Sequence, residues 1–237
     1  MSSTDIAQLK QQAAEYAVTQ FIQSGMLIGL GFGSTAIHAV NKIGALLISS
    51  DLKDITAIAC AKSTEDHARQ LGIPLIEFGP DTEIDITIDG ADEVDPQFNV
   101  IKGGGGALTR EKVVATASKR EVIVVDEGKL SDVLGTQWHI PIEVVPFGWQ
   151  TQMGFLRRLG ADPVRRMDQD GSPIITDQHS YIIDADFGQI TDPVGLAAIL
   201  KARTGIVEHG LFLNLATDII VASTSGITHL QKDSNPA

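Results

Sequence analysis

The feature that most constrains this chain is an alternation of two periodicities. From the N-terminus to about Leu134, short apolar runs bounded by turn residues take turns with stretches of helical spacing. Met26–Leu30, Ile55–Cys60, Ile84–Ile88 and Val122–Val125 read as buried strands. Ile6, Leu9, Ala13, Ala17 and Phe21 recur as one helix face, with Thr4 or Asp5 as its cap. Ala36–Leu47 reads as a second helix and Thr64–Leu71, capped by Ser63, as a third; Thr109 would cap a fourth running to Ser118. Strands alternating with helices bury both faces of a parallel sheet. The expected fold class is α/β, with a doubly wound, Rossmann-like, mostly parallel sheet.

Near Leu134 the pattern changes. From Ile140 it reads strand, helix (Thr151–Leu159), strand (Pro163–Met167), strand (Ile174–Thr176 or Tyr181–Asp184), helix from Asp192-Pro193, and strand near Ile206. Asp170-Gly171 is a hairpin signal, and Asp192-Pro193 pairs a cap with a first-turn proline. The order βαββαβ predicts a smaller α+β, ferredoxin-like domain. The expected organisation is an α/β domain over 1–134 and 207–237 with the small domain, 135–206, inserted. Ile219–Ala222 would return to the first sheet, and the polar end Gln231–Ala237 would fray.

Composition narrows the function classes. The 237 residues are 43% hydrophobic, enough for a sizeable core. Cys60 is the only cysteine, which excludes an intrachain disulfide and Cys-rich zinc sites. Met1–Lys10 has no apolar signal-peptide core, and no apolar run approaches membrane-spanning length, so the expected location is the cytoplasm. A net charge of −12 argues against nucleic-acid and membrane partners. It would also repel a phosphorylated metabolite, so any phosphate site must be local, built from backbone N–H groups, a helix N-terminus and a few lysines.

Three motifs carry the chemistry. Gly29-Leu30-Gly31-Phe32-Gly33-Ser34-Thr35 joins a strand to a helix, where backbone N–H groups, two hydroxyls and the helix dipole suit an anion. A tight βα turn with a Ser cap is the plainer reading. The glycine spacing fits neither a dinucleotide fingerprint nor a Walker loop. Asp89-Gly90-Ala91-Asp92-Glu93-Val94-Asp95 ends the third strand, on the edge where open parallel sheets bind ligands. Four acids in seven residues should repel one another, without an evident structural return; metal binding and a solvated acidic loop are the competing readings. Lys102-Gly103-Gly104-Gly105-Gly106 then opens into a helix carrying Glu111. So many glycines read as backbone passing close to a ligand. Taken alone, Glu111 is readable as a dipole-favoured surface acid. The histidines are scattered without metal spacing, and Trp138 and Trp149 read as packing residues.

Together the motifs resemble the type A ribose-5-phosphate isomerases, whose pattern is GxGTGST, DGADE and KGGG(A/G)AL-REK. This chain reads GLGFGST, DGADEVD and KGGGGALTREK in the same order. The resemblance implies a metal-free, cofactor-free aldose–ketose isomerase. Glu111 matches the base, and Asp89, Asp92 and Lys102 the other catalytic residues. Gly31, Phe32, Gly33, Ser34, Thr35, Gly90, Ala91, Gly103, Gly104 and Gly105 match substrate or phosphate contacts, as do Lys129 and Lys10. It also implies a small sugar-phosphate substrate and a homodimer or homotetramer. Phe32 departs from the pattern: the usual Thr hydroxyl is missing, while the backbone N–H remains. The alternatives are an amino-sugar-phosphate deaminase or another isomerase on a similar sheet, and a non-catalytic sugar-phosphate sensor.

Overall fold

The computed structural model describes residues 3–232, with side chains from residue 6. Thr4 and Asp5, expected as caps, lie inside the first helix, which begins at Ser3, and most of the polar end lies outside the described residues. In chain order the elements are α1 (Ser3–Phe21), β1 (Leu27–Leu30), α2 (Ala36–Ile48), β2 (Thr56–Ala59), α3 (Lys62–Gln70), β3 (Ile86–Gly90), β4 (Glu93–Val94) and β5 (Val100–Ile101). There follow α4 (Leu108–Thr116), β6 (Glu121–Asp126), β7 (Ile140–Val144), α5 (Gln150–Arg158), β8 (Asp162–Arg165) and β9 (Tyr181–Asp186). The last are α6 (Pro193–Lys201), β10 (Ile206–His209), β11 (Leu211–Phe212), β12 (Asp218–Ser223) and β13 (Gly226–Gln231).

The chain forms two compact units, one of residues 1–91, 110–129 and 214–237, the other of 92–109 and 130–213. The first is built on a six-stranded sheet of order β13-β12-β6-β3-β1-β2. Its first five strands in sequence are parallel, and β13 adds an antiparallel edge. Alternation decides which face each residue covers. Ile28, Leu30, Ile86, Ile88, Val122 and Val124 pack with Ala13, Ala17, Val40, Ile43 and Ala68 of α1, α2 and α3. Ile58, Cys60 and Ile84 pack instead with Val114 of α4, against which Phe32 also lies. Helices therefore cover both faces, as a doubly wound sheet requires. From β1 the chain steps to β2 on one side and later to β3 on the other, so the C-terminal ends of β1 and β3 form a topological switch point.

The second unit carries the βαββαβ order, β7-α5-β8-β9-α6-β10, in an antiparallel sheet ordered β10-β7-β9-β8. Of the two candidates for its third strand, Tyr181–Asp186 forms it, while Ile175 makes a single bridge to Tyr181. Beside it is a three-stranded sheet, β11-β5-β4, that the sequence does not announce. Asp192 caps α6 as expected, its Oδ1 accepting from Gly195 N at 2.9 Å. Two other expected caps are wrong. The residue before α3 is Ala61, with no side-chain cap, and Ser63 lies inside the helix. Thr109 lies inside α4 and donates its hydroxyl to Glu143, in β7 of its own unit.

Candidate active site

In the first unit, the β1–α2 loop lies at the switch point beside the end of β3. Gly31 N–H donates to Ile88 O at 3.1 Å, and Phe32 N–H to Asp89 Oδ1 at 3.0 Å. Asp89, 1% exposed, also accepts from Gly90 N at 2.7 Å. The fit is too close for any side chain at Gly31, whose added Cβ would fall 2.4 Å from Asp89 Oδ1. Asp89 therefore braces the loop from beneath. The Phe32 N–H, the donor that remains where the family's Thr hydroxyl is missing, is thus directed at Asp89. The first amides of α2, which have no partner within the helix, follow directly along the chain. Ser34 is exposed there, with Lys10 Nζ donating to its hydroxyl at 3.0 Å. Thr35 stands over Gly90.

Glu111 occupies the first turn of α4 and is 4% exposed. The reading of it as a surface acid is thereby excluded, although the dipole argument survives. Next to it, Arg110 pairs with Glu65 of α3. Lys129 ends a short 3-10 turn after β6, half-buried.

The other motif residues belong to the second unit. Lys102 is 2% exposed, with its ammonium 5.5 Å from the centre of the Phe212 ring. Asp92 Oδ2 accepts from Gly104 N at 2.7 Å. Gly103 has φ +102° and Gly106 φ +92°, and Gly106 N–H donates to Gly103 O at 3.0 Å, closing a four-residue turn. At Gly104 an added Cβ would lie 2.5 Å from Asp92 Oδ1. The glycine run is thus a turn folded tightly on Asp92.

The remaining acids of the second motif have a clear structural return, contrary to expectation. Glu93, fully buried, accepts four backbone N–H groups: Gly135 and Trp138 on Oε2, Thr136 and Gln137 on Oε1, all at 2.9–3.1 Å. Asp95 accepts from Gln97 N, Asn99 N and Asn99 Nδ2, shaping the turn between β4 and β5. Among the described residues no group of three or more His, Cys, Asp or Glu side chains is placed to hold a metal ion. None of the described helices is long and apolar enough to cross a membrane.

Sequence reasoning missed two supporting groups in this unit. Arg166 donates through Nη1 to both Gly103 O and Gly104 O at 2.9 Å. Glu143, fully buried in β7, accepts from Thr176 Oγ1 at 2.6 Å as well as from Thr109. The signal for Glu143 was present, since a lone acid inside the apolar strand Ile140–Val144 demands partners. Arg166 had none: it follows Arg165 in an unremarkable polar stretch.

The profile of the family described as Ribose 5-phosphate isomerase A (phosphoriboisomerase A) matches residues 56–226. The chain belongs to the ribose 5-phosphate isomerase A family. It is 51% identical to the ribose-5-phosphate isomerase A of Desulfatibacillum aliphaticivorans, covering 98% of this chain and 99% of that one. To the enzyme of that name from Chloroflexus aurantiacus it is 50% identical, covering 97% and 96%. Among solved structures, ribose 5-phosphate isomerase from Plasmodium falciparum superposes with a TM-score of 0.93 at 39% identity, covering 96% of this chain and 99% of that one. A D-ribose-5-phosphate isomerase in complex with phospho-erythronic acid gives a TM-score of 0.93 at 35% identity, with the same coverages. The fold expected from the motifs is the fold of this family.

Proposed function

We propose that the chain interconverts D-ribose 5-phosphate and D-ribulose 5-phosphate through an enediolate, with Glu111 as the general base. The reaction moves one proton between C1 and C2. It needs a carboxylate beside the carbon and positive charge for the developing oxyanion. Glu111 takes the C2 proton and returns it to C1. Lys102 stabilises the oxyanion, while Asp89 and Asp92 hold sugar hydroxyls and pass protons between oxygens. The phosphate is met by Ser34 and Thr35 at the N-terminus of α2, with Lys10 beside them. Lys129 adds a further cation for the ligand. The substrate is a small sugar phosphate, and neither nucleic acid nor membrane is a partner. The working assembly is a homodimer or homotetramer in the cytoplasm.

The observation that carries this reading is Glu111, a carboxylate buried to 4% exposure in the first turn of a helix, within the family's REK motif. Burying a carboxylate costs free energy that a surface acid avoids. The phospho-erythronic acid bound by a relative is a phosphorylated sugar acid, and its flat two-oxygen end resembles an enediolate. The test is ribose 5-phosphate in deuterated water, followed by NMR for ribulose 5-phosphate and deuterium uptake. Glu111→Gln should slow both by about 10²–10⁴-fold while melting normally. A helix-dipole role alone would cost about 0.3–1 kcal/mol of stability and leave both untouched. A Glu111→Gln protein that exchanges the C2 proton at the wild-type rate would remove Glu111 from the mechanism.

A further inference from the structure

The turn after Lys102 has glycine at both central positions, Gly104 and Gly105. Four-residue turns exist in two forms that differ by a flip of their central peptide, and glycine at the third position removes the steric bar between them. Side chains therefore do not decide which way the Gly104–Gly105 peptide points; something outside the turn must.

Arg166 does so. It lies one residue past β8, with its backbone tied on both sides: Arg166 N–H donates to Ile182 O at 2.9 Å, and Ile174 N–H donates to Arg166 O at 3.2 Å. Its Nε donates to Asp184 Oδ2 at 2.8 Å and its Nη2 to Asp184 Oδ1. Asp184 sits in β9, an inner strand of the four-stranded sheet, and His139 Nε2 lies 3.0 Å from its Oδ1. That fork fixes the guanidinium plane and leaves Nη1 for the carbonyls of Gly103 and Gly104. The Gly103–Gly104 peptide is then held at both ends, its oxygen by Arg166 and its N–H by Asp92. In the next peptide the oxygen is held by Arg166, so in a trans unit the Gly105 N–H must point the opposite way.

We propose that Arg166 is a positioning residue for the isomerisation: held by Asp184, it locks the Gly104–Gly105 peptide in one orientation and so aims the Gly105 N–H away from the sheet for use by the substrate. This rests on the reading that the loop after Lys102 meets the sugar. Lysine cannot replace it, because an ammonium offers three donors and no planar fork, whereas Arg166 makes four hydrogen bonds, two to Asp184 and two to the glycine carbonyls.

The test compares Arg166→Lys, the double variant Arg166→Met/Asp184→Met, and Arg165→Met, using ribose 5-phosphate kinetics and thermal melting. Removing arginine and aspartate together avoids stranding a half-buried carboxylate. Arg165 stacks on Trp149 and Tyr181 and is the control for damage to this unit's packing. Arg166→Lys and the double variant should each lower kcat/KM by about 10–100-fold, the scale of a small misplacement at a reacting centre, while melting close to wild type. Arg165→Met should melt lower and keep its kcat/KM. Restoration by Arg166→Lys would show that only charge matters and would overturn the lock. So would a folded double variant with wild-type kcat and KM, provided Lys102→Met abolishes turnover. If Lys102→Met also leaves turnover intact, it is the reading of the loop as a substrate loop that fails.

Discussion

Glu93→Gln is the sharpest test of how the acidic motif is built. Each carboxylate oxygen of Glu93 accepts two backbone N–H groups from the turn at 135–138. The amide keeps the shape but turns one oxygen into an NH₂ group, which faces two N–H donors with no lone pair to offer. Two hydrogen bonds to a charged acceptor are lost, at about 1.5–3 kcal/mol each, or about 3–6 kcal/mol together. That is a large part of the 5–15 kcal/mol or so that holds a typical domain folded. At about 2–4 °C per kcal/mol for a chain of this size, Tm should fall by roughly 6–24 °C. Calorimetry measures the fall, and hydrogen exchange should show the amides of 135–138 losing protection before those of β6. If Glu93→Gln melts within about 2 °C of wild type, the claim that this acid is an internal cap for the turn is wrong.

Three further outcomes are expected. Replacing Ser34 and Thr35 together by Ala should raise KM for ribose 5-phosphate more than it lowers kcat, and weaken competition by inorganic phosphate; unchanged competition would move the anion site elsewhere. Activity should survive exhaustive dialysis against EDTA, because Asp89, Asp92, Glu93 and Asp95 all spend carboxylate oxygens on backbone N–H groups; loss restored by a divalent ion would reverse that assignment. Burial pushes the Asp218 carboxyl up, but the hydrogen bonds from Arg120, Thr217 and His229 and the Arg120 charge outweigh it, so its pKa lies below the ordinary carboxylate value. Its contribution is therefore present above about pH 3.9 and lost as pH falls through the lower folded value. Asp218→Asn should cost about 1–3 kcal/mol at pH 7 by urea titration, and the gap from wild type should close in acid; a gap that widens in acid would refute the sign.

Much of this was legible because the larger elements repeat a period. The short apolar runs that hold Ile28, Leu30, Ile86 and Ile88 mark strands covered on both faces, and the six elements from Ile140 onward give the small domain its element order. What escaped lacks a period. The strands β4, β5 and β11 are two residues long, too short for alternation to show, yet they bind 92–109 to the second unit. All six residues of β13 are exposed, so no apolar face marks it. Within the motifs, residue types were readable but partners were not. Four neighbouring acids look like a charge cluster until Glu93 and Asp95 are seen capping turns, and nothing about Arg166 in sequence announces two glycine carbonyls.

Asp89 and Asp92 both sit where a glycine partner has left room, yet the two vacated spaces differ in who can reclaim them. A methyl at Gly104 would meet nothing within 3 Å except the Asp92 carboxylate. Shortening Asp92 would therefore relieve it, so the pair should show compensation in a combinatorial library, with each change harmful alone and less so together. A methyl at Gly31 would strike the Ile88 carbonyl at 2.5 Å as well as Asp89. No change at position 89 can move that main-chain oxygen. Gly31 is thus fixed by backbone, whereas Gly104 is fixed only by the company it keeps.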